Sequence, residues 1–230
     1  MALPPPYLSD SPAGPRSRLG ASRHRKGEGH LFESLCELAH ECSLEVAGTR
    51  LRVGLANNHW QLQQARLLID ALRQQGSGSQ RLRPPVLDPE RRDHAVAMAL
   101  RTTPVGATPR ARGLLVLRCD SGNGLALDAR HGPELSRLRE HGARLAELEL
   151  VAFEDLRDLE PVLHALVTAL HHAAQAWGAT QILTECPRAH APRYCRLLGF
   201  RRLDRRQRES DSVLLGLATH RLPERYRTPA

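Results

Sequence analysis

Aromatic residues make up only 3% of this 230-residue chain, and lysine occurs once, at Lys26. The arginine runs therefore lack interleaved stacking side chains, which argues against a nucleic-acid binder of the base-stacking kind. There are five cysteines, an odd number at spacings that form no disulfide framework, so reduced thiols in a cytoplasmic setting are expected. No apolar run approaches the length of a membrane span, and the N-terminus lacks the apolar core of a signal peptide. Hydrophobic residues reach 41%, enough for one core of domain size, and the formal net charge is +8, carried almost wholly by arginine. That balance favours acidic partners: a negatively charged protein, a phosphate-bearing group or anionic lipid.

Residues 1–30 are rich in proline, small residues and cations and carry too little apolar surface to offset ordering entropy, so a tail is expected there. Residues 31–47 place Leu31, Leu35, Leu38 and Cys42 on one stripe and read as a helix ended by Gly48. The domain proper is expected over 48–220, with a tail at 221–230. It opens with a strand at 50–56 and a helix at 61–75, followed by a surface loop. Strands at 94–102 and 113–118, a turn at 120–124 and a short helix at 133–141 with Pro133 first come next. Residues 143–153 then alternate through Leu145, Glu147, Glu149 and Val151, the period of a strand. A helix follows with Leu159, Val162, Leu163, Leu166, Val167 and Leu170 on one face, stopping at Gly178; within it His171 and His172 read as surface. A strand at 181–184, a helix at 193–198 ended by Gly199, a basic hairpin and a last strand at 211–218 complete the chain. The strand–helix–strand–helix run from 143 predicts two parallel neighbouring strands.

Three stretches carry a resemblance: LRVGLANNHWQLQQARLLIDALRQQG, DSGNGLALDARHGPELSRLREHGARLAELELVAF, and the final helix with its tyrosine and LLGF ending. The chain resembles the N-acyl amino acid synthase family of the FeeM type, on the GCN5-related N-acyltransferase (GNAT) fold and related to acyl-homoserine lactone synthases. The likeness spans about residues 48–219 and follows that family's D-S-x-x-G-L-x-L-D, E-L-x-x-L-R-x-x-G and R-x-x-E-x-S-R-L-A-V order. It implies an α/β (α+β) fold: a mixed, mainly antiparallel sheet flanked by helices, with a parallel strand pair that splays apart. The implied activity is acyl transfer from a thioester, carried by acyl carrier protein or coenzyme A, to the amine of an amino acid or small amine. No metal is implied.

Such chemistry needs a base for the ammonium proton, donors for the oxyanion and a group to meet the departing sulfur. Glu147 matches the family's glutamate and is expected to be the base or amine binder, with Glu149 beside it on the same strand face. Tyr194 matches the tyrosine of an H-x-x-[FY]-Y pattern and is expected near the sulfur; His190 matches its histidine, although Arg193 replaces the usual aromatic. The remaining substrate-binding candidates are Trp60 in the first helix, Arg144, Val151 and Ala152 on the splaying strand, and Glu185 on its neighbour. The family's Ser-Arg pair is Glu149-Leu150 here.

Before the long helix stands EDLRDLEPV, without the glycines that let backbone amides close on a pyrophosphate. That favours a donor presented by an acidic acyl carrier protein, met by Arg157, Arg188, Arg193 and Arg196. An acetyl-coenzyme A dependent acetyltransferase, a catalytically silent binding or regulatory relative and a basic nucleic-acid binder are the competing readings. Cys186, His190 and Cys195 have tolerable metal spacing but no fourth ligand.

Overall fold

A computed structural model describes residues 42–46, 48–74, 87, 93–102, 108–154, 159–203 and 211–221. Its elements in chain order are β1 (Cys42–Val46), β2 (Thr49–Leu55), α1 (His59–Gln74), β3 (His94–Arg101), β4 (Arg110–Cys119), α2 (Asp128–Glu140) and β5 (Leu145–Phe153). Then come α3 (Leu159–Ala176), β6 (Gln181–Pro187), α4 (Ala191–Leu198), β7 (Arg201–Arg202), β8 (Ser212–Ala218) and a 3-10 turn, Thr219–Arg221. Among the described residues the strands form one sheet in the order β1-β2-β3-β4-β5-β6-β8-β7, antiparallel except for β5–β6. This is the mixed, mainly antiparallel architecture expected, with α3 as the crossover between the two parallel strands. No helix among the described residues is long and apolar enough to cross a membrane.

One sequence expectation is corrected at the N-terminal end. The helix expected over 31–47 does not reach 42–46, which is β1, paired to β2 with Val46 opposite Thr49. Gly48, at φ +73°, supplies the left-handed backbone of the connecting turn rather than a helix end. Leu44 and Val46 alternate inward onto the cluster under α3, and that period-two pattern is hidden beneath the helical stripe that ends at Cys42. Residues 31–41, the tail at 1–30 and residues 222–230 lie outside the described residues.

Helix α1 starts where its sequence supplies caps: Asn58 Oδ1 accepts from the Gln61 amide at 2.9 Å, and Gln61 Oε1 accepts from the Asn57 amide at 2.8 Å. Its apolar stripe, Leu62, Ala65, Leu68, Ile69 and Leu72, packs on one sheet face against Val96, Met98, Leu114, Val116, Leu150 and Ala152. Helix α2 is two helical pieces that meet at a kink at His131, whose φ of −122° and ψ of 22° leave helical space. Pro133 therefore stands in the first turn of the second piece, in keeping with the helix expected at 133–141. Leu135 of α2 packs with Leu125, Leu127, Leu145, Leu183 and Leu214 on the same sheet face as α1. The opposite face carries α3 and α4, where Leu166, Ala173 and Ala174 are fully buried against Leu115, Leu117, Ala146, Leu148, Ile182 and Leu215. Burial of one such leucine stabilises by about 1.5–3 kcal/mol.

Two irregularities on β5 shape everything downstream. The register with β4 runs Leu117 to Leu148 and then Val116 to Leu150, so Glu149 is an extra, bulged residue. Leu148 consequently faces α3 while Leu150 faces α1. On the other edge, β5 pairs with β6 through Leu145–Gln181, Ala146–Ile182 and Glu147–Leu183 and then stops, although both strands continue. The next carbonyl, Leu148 O, takes its hydrogen bond from the buried Thr184 hydroxyl at 2.9 Å instead of from a ladder amide. A buried acceptor left open costs about 1–3 kcal/mol. Thr184→Val, nearly isosteric, should therefore lower the urea-unfolding free energy by about that amount, whereas Thr184→Ser should recover most of it. Equal stability of Thr184→Val and wild type would remove this hydroxyl from the structural account.

Candidate active site

Glu147 is built into the sheet by the loop before α2. Arg139, from the E-L-x-x-L-R stretch, donates to Asp120 through Nε at 2.6 Å and to Asp128 through Nη1 at 2.6 Å and Nη2 at 2.8 Å. Asp128 Oδ2 also accepts from the Leu125 amide at 2.8 Å, and Gly124 turns the chain at φ +67°. Arg139 holds the Asp128 carboxyl below its usual range by hydrogen bonding. The D-S-x-x-G-L-x-L-D motif is thus a clamped loop, and what it delivers is an amide: Leu127 N donates to Glu147 Oε2 at 3.2 Å.

Glu147 is 5% exposed, and burial pushes its carboxyl up to about 7. The Leu127 amide opposes that rise, the Glu149 charge adds to it, and the Ala126 amide and Arg118 pull it back. The neighbouring Glu149 carboxylate contributes to the Glu147 rise, but desolvation is the larger cause. No ion pair joins Glu147 to Arg144 among the described residues. Arg144 is exposed, its guanidinium lying against Gly178 at the closed end of the β5–β6 pair, so this candidate is not brought to the opening.

Around Glu147, on the face that carries α1 and α2, two polar groups converge. One joins β3, β4 and β5: His94 Nδ1 lies 2.8 Å from Asp93 Oδ1, and His94 Nε2 lies 3.2 Å from Glu149 Oε2. Arg118 Nη1 is 3.5 Å from Glu149 Oε1, and Arg118 Nε is 3.8 Å from Asp93 Oδ2. The other joins α2 to β6 and β8. Arg130 Nη1 donates to Glu185 Oε2 at 3.0 Å, the Ser212 hydroxyl donates to Glu185 Oε1, and buried His131 places Nε2 3.6 Å from that same oxygen. Among the described residues, the buried side-chain nitrogens and oxygens without a hydrogen bond are Arg118 Nε, His131 Nε2 and Glu149 Oε2. All three belong to this site. They offer a donor, an acceptor and a group that can be either, a set suited to a polar, charged small molecule.

Beyond Glu147 the facing edges of β5 and β6 are no longer paired to each other. The Glu154 amide donates to Arg112 O across β4 at 2.9 Å. The antiparallel alternation therefore turns the Val151 and Phe153 amides toward the edge that β6 has left. On the α3 side, a mainly apolar pocket is lined by Leu117, Leu148, Val167, Leu170, Leu198 and Phe200. His171 also lines it and places Nε2 2.5 Å from Thr219 O, so this histidine is partly buried and engaged rather than a surface residue. Tyr194 packs on this side, edge-to-face with Phe200 at 6.3 Å between ring centroids. Burial raises its phenol to about 12, with Cys186 adding to the rise. A phenol there remains protonated at neutral pH and can donate a hydrogen bond to a sulfur anion. Full proton transfer to a thiolate of ordinary pKa near 8.5 would be uphill.

The structure thus gathers Glu147, Glu149 and Glu185 on one face, and Tyr194 stands on the other. His190 is exposed at the start of α4 and makes no side-chain cap. Trp60 is exposed in the first turn of α1, and Ala152 faces the α1 core. Arg193 and Arg196 are exposed on α4, Arg188 is partly buried just before it, and Arg157 falls outside the described residues. His94, Arg118 and His131 were not singled out by sequence: they come from separate stretches, and only strand register brings them to Glu147.

Residues 108–215 match the family model described as N-acyl amino acid synthase FeeM. The solved structure of FeeM, an N-acyl amino acid synthase from uncultured soil microbes, aligns with a TM-score of 0.56 at 18% identity, covering 75% of this chain and 92% of its own. A GNAT-family acetyltransferase from Listeria monocytogenes aligns with a TM-score of 0.47 at 14% identity, covering 77% and 99%. The CoA-dependent acyl-homoserine lactone synthase MesI aligns with a TM-score of 0.41 at 16% identity, covering 76% and 91%. No curated protein gives a significant match. At these identities the structural likeness shows the shared fold, and the family matched is the one the sequence motifs resemble.

The raised Glu147 carboxyl has a sign that can be checked. Between about 4.5 and about 7 the folded chain holds a proton that the unfolded chain has released, so this group favours folding most below 4.5 and loses its contribution as pH rises toward 7. Relative to Glu147→Gln, wild type should lose up to about 3 kcal/mol over that window, measured by urea unfolding at several pH values. A pH-independent difference would mean that Glu147 is ionised in the fold.

Proposed function

We propose that this acyltransferase of the GNAT fold moves a long-chain acyl group from a carrier-bound thioester to the amine of an amino acid or similar small amine. The observation that carries the reading is the opening between β5 and β6, with a buried carboxyl on one face and a mainly apolar pocket on the other. The acceptor amine comes from the α1–α2 face, where Glu147 takes a proton from the ammonium. The donor lies on the α3–α4 face, its acyl chain reaching the apolar layer under α3 only if the small cavity among the buried Leu117, Leu148, Val167 and Leu170 widens to take it. The Val151 and Phe153 amides serve the thioester arm and the developing oxyanion. Tyr194 donates a hydrogen bond to the departing sulfur. Each of these roles is supported by position and chemistry.

A carrier-bound donor is favoured by the residues around the start of α3. The sequence running into α3, EDLRDLE, carries acidic residues and no glycine, a composition unsuited to cradling a coenzyme pyrophosphate. On α4, Arg193 and Arg196 are exposed and suited to an acidic carrier. The matched family name, N-acyl amino acid synthase, is the support for an amino acid acceptor.

The chain should form N-acyl products when incubated with long-chain acyl carrier thioester and a pool of amino acids, read by mass. Glu147→Gln should lower the rate by about 10²-fold or more while leaving carrier binding intact. Carrier binding without any product, across acyl lengths and amines, would sink the catalytic reading in favour of a silent binding protein. Arg193→Glu with Arg196→Glu should raise KM for the carrier thioester several-fold at low salt, with little change for the coenzyme A thioester. Equal use of both donors by wild type would remove the carrier preference.

A further inference from the structure

We propose that His94 is the proton outlet of the active site, passing a proton from the Glu147–Glu149 pair through Asp93 to solvent. The inference rests on the acyl-transfer reading above and concerns how its product proton leaves. In the reaction the thioester C–S bond breaks and the C–N bond forms. The ammonium carries three protons and the amide keeps one; the second ends on the sulfur as thiol. The third must leave the protein on every turnover. Glu147, which accepts it, is 5% exposed and hydrogen-bonded to a backbone amide, so it needs a path to water.

The described residues contain such a path. Glu149 lies two residues along β5 from Glu147 and on the same sheet face, and there the path begins. Its Oε2 is 3.2 Å from His94 Nε2, and His94 Nδ1 is 2.8 Å from Asp93 Oδ1. The His94 side chain is 4% exposed and that of Asp93 is 16% exposed, so the chain of groups runs from the interior toward solvent. A hydrogen bond from Nδ1–H to Asp93 leaves the Nε2 lone pair facing Glu149. Protonated Glu149 then delivers its proton to Nε2, the ring releases the Nδ1 proton to Asp93, and Asp93 passes it to water. The Glu149 oxygen concerned has no aligned hydrogen bond, and rotation of its carboxylate about the soft terminal torsion completes the link. Arg118 faces both ends of the path, 3.5 Å from Glu149 and 3.8 Å from Asp93. His94 acts through Glu149 and is therefore a positioning residue that relays a proton without touching substrate.

The test compares wild type, His94→Gln and Asp93→Asn in steady-state acyl transfer over pH 6–9, in water and in deuterium oxide, with and without added imidazole. Thermal unfolding of each variant establishes that it folds. His94→Gln is expected to lose kcat by at least about tenfold with KM little changed, to show an enlarged solvent isotope effect, and to be partly rescued by imidazole. Asp93→Asn keeps an acceptor for Nδ1–H but cannot take the proton, so it should show the same loss without rescue. A folded His94→Gln with wild-type kcat and isotope effect overturns the relay. So does a loss confined to KM, or a loss in kcat with an unchanged isotope effect. Wild-type inactivity toward every donor and amine pair overturns the acyl-transfer reading itself, a result distinct from any of these.

Discussion

The parallel contact between β5 and β6 ends after Glu147, and the rest of the site depends on that ending. Neither strand frays there. β6 remains paired to β8 along its whole length, from Gln181 to Pro187, and β5 remains paired to β4 through Phe153. The opening is therefore held by two antiparallel ladders that diverge, with the bulge at Glu149 adding local twist to one of them. The carbonyl that would be orphaned at the fork is met by the Thr184 hydroxyl. A fork satisfied in this way needs no ligand to stay open, and its free amides are fixed in direction before any thioester arrives. That preorganisation is what an oxyanion site requires.

The distribution of unsatisfied polar groups follows from the same geometry. The cores under α1 and α3 are built from aliphatic side chains. The buried polar atoms lacking a hydrogen bond among the described residues gather instead at one place, around Glu147. Each has an ionisable neighbour at 3.2–3.8 Å without an aligned hydrogen bond, so the polar seam is paired through ionisable groups more than by hydrogen bonding. The clamp of Arg139 on Asp120 and Asp128 fixes the loop that carries the Leu127 amide into this seam. The molecule thus separates aliphatic layers under its helices from one polar seam between them.

Much of the fold was legible in the residues because period and punctuation agreed. The alternation from Leu145 and the stripe from Val162 to Leu170 each specify one element, and their order implies a right-handed crossover. The bulge was not legible. Leu148 and Leu150 are both leucine, so an inserted residue between them leaves the apolar–polar rhythm intact while sending the two leucines to opposite faces. Glu147 was found through its motif, and the reason it titrates high, burial beneath the loop at 120–128, belongs to tertiary structure. His94, Arg118 and His131 lie in stretches that read as ordinary strand or helix ends. β1 was concealed for a related reason: a short strand of mixed polarity follows a segment with helical spacing, and pairing with β2 decides its form.

The bulge also changes how the departure at Glu149-Leu150 should be understood. In a regular strand, successive residues face opposite sides, and replacing a serine–arginine pair would alter two environments. Here Glu149 and Leu150 both address the α1–α2 face, Glu149 through its contacts with His94 and Arg118 and Leu150 through its packing beneath α1. The exchange therefore rewrites one site. It removes a guanidinium from residue 150, adds a carboxylate at 149 and fills the space at 150 with aliphatic volume. A guanidinium nevertheless occupies that seam: Arg118, opposite Glu147 in the β4–β5 register, reaches Glu149 from the neighbouring strand. Its charge is shared with Glu149 and Asp93, leaving Nε as its buried unbonded donor. On the acyl-transfer reading proposed above, an amine acceptor would meet a seam whose cation is already held by two carboxylates, an arrangement that favours recognition through its ammonium over recognition through a carboxylate alone.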